Sequence, residues 1–146
     1  MAIYSLAQTS VVTVSGNAAA DVACSTGMRP RLMEWGLFLG AATASTFSLR
    51  RTSALGTRTT PTALIAEDVS DPALAGINLI DMAVAFSVEP TELTTKLRSI
   101  GLPATIGTGV IWTFPRGITV ATSLSLAIIG DATNAASHHH NPVCDI

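Results

Sequence analysis

Residues 102–130, LPATIGTGVIWTFPRGITVATSLSLAIIG, concentrate the strand and turn signals of this chain in one short stretch. Val110, Trp112 and Phe114 alternate with Ile111 and Thr113. Pro115, Arg116 and Gly117 then interrupt, Ile118 and Val120 resume, and Leu124, Leu126 and Ile128 alternate with Ser125, Ala127 and Ile129. A period of two places successive side chains on opposite faces of a strand, so the stretch predicts three strands in quick succession, each with one buried face. Val110, Trp112 and Phe114 are expected in the core.

Strand patterning continues on both sides. Short strands are expected at Ile3 to Gln8 and Val11 to Val14, with a turn or loop from Gly16 to Asp21. Between Arg31 and Leu39 the alternation assigns Met33, Trp35, Leu37 and Leu39 to the core and points Glu34 away from it. Phe47 and Leu49 alternate with Thr46, Ser48 and Arg50, which makes residues 31–51 a hairpin candidate turning at Gly40 to Ala42. Leu79 to Val88 and Leu93 to Leu102 read as strands around the turn-forming Glu89, Pro90, Thr91 and Glu92. A helix over residues 73–86 ranks second to a strand, because Gly76 and Asn78 weaken it. Residues 52–76, with Gly56, Pro61, Pro72 and Gly76, form a long irregular loop carrying one short turn of helix at Asp71 to Ala75. The sum is an all-β chain, an antiparallel β-sandwich of about eight strands with a jelly-roll-like arrangement. Residues 1–15 form an N-terminal strand or arm, and 16–146 a single sandwich domain.

Composition narrows the function classes. The chain has 146 residues, enough for one domain with a sizeable core, and ten carboxylates against seven Arg and one Lys, Lys96. So thin and slightly acidic a balance argues against a nucleic-acid partner. Apolar runs end before the roughly 18 residues of a membrane span, so no membrane partner is expected, and the N-terminus is read as retained. Ala, Ser and Thr supply 54 residues while charged residues supply 12%, less than the roughly 25% usual for soluble domains. A weakly charged surface of small residues suits burial against other subunits.

Chemistry-bearing motifs are sparse. There is no nucleophile elbow, phosphate loop or His-Glu-x-x-His, so no catalytic residue, cofactor or small-molecule substrate is assigned. His138 and His140 would project to one side of an extended segment and present two imidazoles to a metal. With no Cys or carboxylate at a ligand spacing, His138, His139 and His140 are instead read as an exposed polar tail, and no metal is assigned. Glu67, Asp68 and Asp71 read as a solvated acidic loop, lacking the oxygen ligands of a calcium site. Trp35 and Trp112 would suit a sugar platform, but both fall in alternating strands where a core position is usual. Cys24 and Cys144 form no Cys-x-x-Cys motif and read as buried or free thiols.

A family resemblance rests on Glu34-Trp35-Gly36 with Ala41-Ala42-Thr43 and a Leu49-Arg50 strand. To these it adds Leu102-Pro103-Ala104-Thr105-Ile106-Gly107 running into Val110-Ile111-Trp112-Thr113-Phe114-Pro115, and Gly117-Ile118-Thr119-Val120 before a Ser-Leu-Ser-Leu strand. Over most of residues 30–130 the chain resembles small tailed-bacteriophage virion proteins, the jelly-roll-like decoration, cement and related accessory proteins. The resemblance implies a homotrimer made in the host cytoplasm and placed on the capsid exterior, where it binds the major capsid protein and stabilises the shell. A tail- or fibre-associated module binding host carbohydrate is the alternative. The uncharged segment Ala2 to Thr9, free to reach a neighbour and removable without loss of fold, and the loop Thr52 to Ala75 are the expected contacts. Ser137-His138-His139-His140-Asn141-Pro142 departs from the apolar last strand of such proteins.

Overall fold

The computed structural model describes residues 1–12, 14–77, 79–132 and 134–146. Thr13, in the segment Val11 to Val14, and Asn78, in the candidate helix, lie outside the described residues. The strands are β1 (Ile3–Ser5), β2 (Gln8–Val12), β3 (Ala18–Cys24), β4 (Arg31–Leu39), β5 (Ser45–Ala54), β6 (Thr57–Arg58) and β7 (Thr62–Ala63). They continue with β8 (Ile65–Ala66), β9 (Ile80–Ala83), β10 (Phe86–Val88), β11 (Thr91–Leu102), β12 (Gly109–Thr119), β13 (Ser125–Gly130) and β14 (Asn134–Asp145). No helix occurs among the described residues, so neither the helical alternative at 73–86 nor the turn of helix at Asp71 to Ala75 is realised.

Every pairing is antiparallel. The first sheet runs β12-β4-β14; beyond β14, β2 pairs with its first half and β1 with its second, and β8 pairs with β1. The second sheet runs β11-β5-β13-β3-β9-β7, and β10 pairs with β6 alone. Counting only β2, β3, β4, β5, β11, β12, β13 and β14, in chain order, the two sheets read 1-8-3-6 and 2-7-4-5. That order is a jelly roll. Side chains from both sheets fill one core, with Tyr4, Leu32, Trp35, Leu37 and Leu39 from the first facing Val22, Phe47, Leu49, Leu126 and Ile128 from the second.

The expected core faces of β4 and β5 are present, with Trp35, Leu37, Leu39, Phe47 and Leu49 buried. Leu32 is also buried although its alternation puts it outward. The pairing to β14 slips between Glu34↔Val143 and Leu32↔Cys144, so Met33 bulges and the face switches. A second irregularity corrects the reading of 102–130 as three strands. Thr113 pairs with Glu34 and Ile118 with Leu32, so Phe114 to Gly117 bow out within the single strand β12. Pro115, which has no N–H to give, is tolerated because β12 is an edge strand, and Gly117 takes φ +65°. Phe114 is buried, and Val110 and Trp112 pack half-buried against the core.

Further expectations are corrected by tertiary pairing. Residues 31–51 are not a hairpin: β4 and β5 belong to different sheets, and the place beside β4 is taken by β14. The expected turn from Gly16 to Asp21 ends at Asn17, and β3 follows with every residue buried. Its alanines have little strand propensity, but they let layers approach closely on both faces. The reading of Leu79 to Val88 as one strand gives way to β9 and β10, which pair with different neighbours. The long loop is shorter than expected, since β5 reaches Ala54 and β6, β7 and β8 lie within it. The N-terminal segment is not a free arm. Ile3 to Ser5 pair with β14, Tyr4 and Ser5 also pair with β8, Gln8 to Val12 pair with β14, and Tyr4 is buried with its hydroxyl donating to the Pro72 carbonyl at 3.0 Å. The histidine tail is not an exposed tail either, because it lies within β14, in the interior of the first sheet.

On the outward face of that sheet, Phe38 lies between two glycines. A Cβ at Gly36 would come within 3.0 Å of its ring, and one at Gly109 would overlap the ring and the Leu37 carbonyl oxygen. An aromatic ring laid over strand glycines covers their exposed backbone. Gly109→Ala is therefore expected to lower stability by about 2 kcal/mol through overpacking, read by urea denaturation. A change within about 0.5 kcal/mol, the range of an ordinary surface substitution, would show that the contact is dispensable.

Candidate functional site

The chemistry-bearing side chains gather in three places. The first is the inward face of β14. His138 and His140 are two residues apart, both 0% exposed, with ring centroids 6.5 Å apart. Phe47 of the facing sheet meets His138 edge-on at 4.7 Å, and Trp35 meets His140 at 6.2 Å. Ser10 Oγ lies 2.7 Å from His140 Nε2. His140 Nδ1, both ring nitrogens of His138 and Trp35 Nε1 have no hydrogen-bond partner. Burial lowers both imidazoles below their ordinary 6.5, with neighbouring histidines adding to it: His138 to about 4 and His140 to about 3. Both are neutral at physiological pH. His139 points outward, its Nδ1 3.0 Å from Thr9 Oγ1.

The second is a clamp on the outer face of the other sheet. Arg58, brought there by the two-residue strand β6, bridges Asp21 of β3 at 2.8 Å and Asp81 of β9. The Asp21 side chain is fully buried, and that of Arg58 is 10% exposed. Burial raises the Asp21 carboxyl to about 6, with Arg58 offsetting part of the effect. Beside the clamp, Ala127 and Ile129 of β13 and Ala18 of β3 form a second small apolar cluster against Phe86 of β10. Arg58 of β6 and Phe86 of β10 thus cover the β13-β3-β9 part of this sheet's outer face. No motif announces the clamp, but a signal is present: Asp21 stands between Ala20 and Val22, and Asp81 between Ile80 and Met82, each a lone charge in an apolar run.

The third is Asp131, which follows β13. Lys96 reaches it at 2.8 Å and Arg50 at 2.5 Å, while Ser48 donates to it at 3.1 Å. Burial opposes its ionisation, but these three partners hold the carboxyl below the ordinary value. The knot ties β5, β11 and the end of β13 together.

The remaining candidates are scattered. Glu67 and Asp68 are exposed, and Asp68 accepts from the Ser70 hydroxyl at 2.5 Å and the Ser70 amide at 2.9 Å, which lower its carboxyl. Trp35 and Trp112 are cross-strand partners, Trp35 in the core and Trp112 half-buried against it, so they make no paired surface platform. Cys24 and Cys144 are buried in the core, and burial pushes the Cys144 thiol up to about 12. Such a thiol is inert at neutral pH. Among the described residues, no three His, Cys, Asp or Glu side chains converge as metal ligands.

What the fold leaves open is the outward face of the first sheet. Glu34, Gly36 and Phe38 of β4 lie beside His139, Asn141 and Val143 of β14, with Ile111 of β12 and Val11 of β2 at either side. Ile111 and Val11 are each 54% exposed, and Ile65 at the β8 edge is 66% exposed. A groove of about 620 Å³ lined by Ser5, Leu6, Ile65, Asn141 and Val143 indents it. No protein-family model, curated protein or solved structure matches the chain.

Proposed function

We propose that this chain is a non-enzymatic phage virion protein, a capsid decoration or cement protein that binds the shell as a homotrimer and stabilises it. The observation that carries the reading is the contrast between the two sheets. One has the β13-β3-β9 part of its outer face covered by Arg58 and Phe86, whereas the other presents a lightly charged face on which Ile111 and Val11 are exposed and Phe38 and Val143 half-buried. Exposed apolar side chains on one weakly charged face suit contact with other subunits.

The sheet edges other than β2 support association through faces. The β12 edge carries the Pro115 bulge, β11 carries Lys96 and repeated register shifts, and β7 and β8 are two residues long. Each device discourages strand addition. Area would do the stabilising, at about 25 cal/mol per Å² of apolar surface before association costs. Many symmetric copies multiply a modest local gain.

The deciding measurement is the copy number in purified particles relative to the major capsid protein, with native mass spectrometry of the isolated chain to read the trimer. Ile111→Glu, placing a charge on the open face, is expected to fold normally and to lower particle occupancy at least tenfold, the equivalent of about 1.4 kcal/mol. Full occupancy of that variant would remove the face from the interface, and absence of the wild type from particles would sink the assignment. A glycan array tests the host-carbohydrate alternative.

A further inference from the structure

We propose that His138 and His140 are an acid-sensitive latch that holds β14 in the first sheet and releases it when the rings take up protons. The inference does not depend on what the open face binds.

The geometry carries it. Both rings are fully buried between the sheets, against Phe47 and Trp35, and three of their four nitrogens have no partner. A neutral imidazole tolerates such a site at the expense of an unmade hydrogen bond, but an imidazolium does not. No carboxylate is at hand to receive the charge. The titratable groups that act on the pair are its own rings and the neighbouring His139, and each of these influences disfavours the charged imidazole. From β2 the pair is faced by the Ser10 hydroxyl, from β4 by Trp35 and from β5 by Phe47, none of them charged.

The position of the pair turns a local charge into a structural event. His138 and His140 pair with Leu39 and Leu37 of β4 on one side and with Ser10 and Gln8 of β2 on the other, and further along β14 holds β1. Expelling this strand would detach β1 and β2 in a transient opening that precedes loss of the second sheet, which contains none of the three.

The sign follows from linkage. The unfolded chain takes up protons on both histidines below about pH 6.5, whereas the native rings resist until about 4 and about 3. The stabilising contribution is therefore whole above pH 6.5 and is lost as pH falls. Each histidine raises the unfolding constant up to about tenfold per pH unit, less at the ends of the interval where a ring is part-protonated, so the pair raises it about four-hundredfold between pH 6 and 4.5. Asp21 works the other way. Its native carboxyl, raised to about 6 against an ordinary 3.8, completes its protonation over the same interval and offsets about fourteenfold of that rise.

The test compares urea unfolding of the wild type with His138→Leu/His140→Gln at pH 7, 6, 5 and 4.5. Between pH 6 and 4.5 the variant's unfolding constant should rise about four-hundredfold less than the wild type's. Equal pH slopes would overturn the proposal. Nuclear magnetic resonance titration of the histidine rings in the native wild type decides it independently, even where the variant does not fold. Rings that stay neutral to below pH 5 support the latch, and either buried ring titrating near 6.5 overturns it. Amide exchange at pH 5 should show protection lost in Gln8–Val12 and at His138 to Asp145 before Ser125–Gly130. Uniform loss would mean global unfolding rather than a latch.

Discussion

Arg58→Met is expected to destabilise the protein by about 3–5 kcal/mol at pH 8, because it leaves two buried carboxylates without their cation. Asp21 has no exposed side-chain surface and Asp81 little, and Arg58 bridges both. The deficit should shrink in acid. Burial already raises the Asp21 carboxyl to about 6 in the presence of Arg58, and removing the guanidinium takes away the charge that opposes that rise. A carboxyl whose native value lies above its unfolded value is stabilising as pH falls toward 4, so the variant recovers part of the loss by protonating Asp21. Chemical denaturation at pH 8 and pH 5 measures both quantities. A loss below 1 kcal/mol at pH 8, or an equal loss at both, would show that the clamp does not hold β6 to β3 and β9. Replacing all three residues by apolar ones of similar volume should restore most of the stability, as charge-for-hydrophobe exchanges at buried pairs often do.

Deletion of residues 1–12 is expected to leave no folded protein. The segment supplies β1 and β2, which together cover one whole side of β14, and it carries Tyr4 into the core. Losing an aromatic core side chain alone costs about 3–5 kcal/mol. The unpaired backbone of β14 and the exposed flank of His138, His140 and Cys144 add to this, against a total stability of about 5–15 kcal/mol. Circular dichroism and amide nuclear magnetic resonance of the truncated chain check it. A well-dispersed spectrum would mean that β1 and β2 are accessory to the sandwich. The outcome bears on the open face as well, since Ile3 and Val11 are displayed there only while the segment stays paired.

Where one side of a strand meets the core and the other meets solvent or a polar layer, the residues announce it. Trp35, Leu37 and Leu39, or Phe47 and Leu49, were assignable because alternation depends only on the two-residue period of an extended backbone. Where both faces are covered, alternation disappears. The alanines of β3 look like a loop until the second sheet's outer layer is in place. The candidate sites divide the same way: Trp35 was legible as core, whereas the Arg58 clamp joins residues 21, 58 and 81, whose spacing means nothing until three strands are laid side by side.

The histidine strand is the sharpest case. Polarity alone sends Ser137 to Asn141 to the surface, and only the strand order puts β14 between β4 and β2 and turns His138 and His140 inward. What the residues determine by themselves is the all-β class, the core faces of its strongly alternating strands and the shortage of charge, all of which follow from local geometry and composition. Strand partners, the crossing from β4 to β5 between sheets, the two bulges and the burial of the histidines were decided by tertiary packing. Each depends on which distant segment occupies the neighbouring position, and backbone hydrogen bonding between strands carries almost no sequence code for that choice.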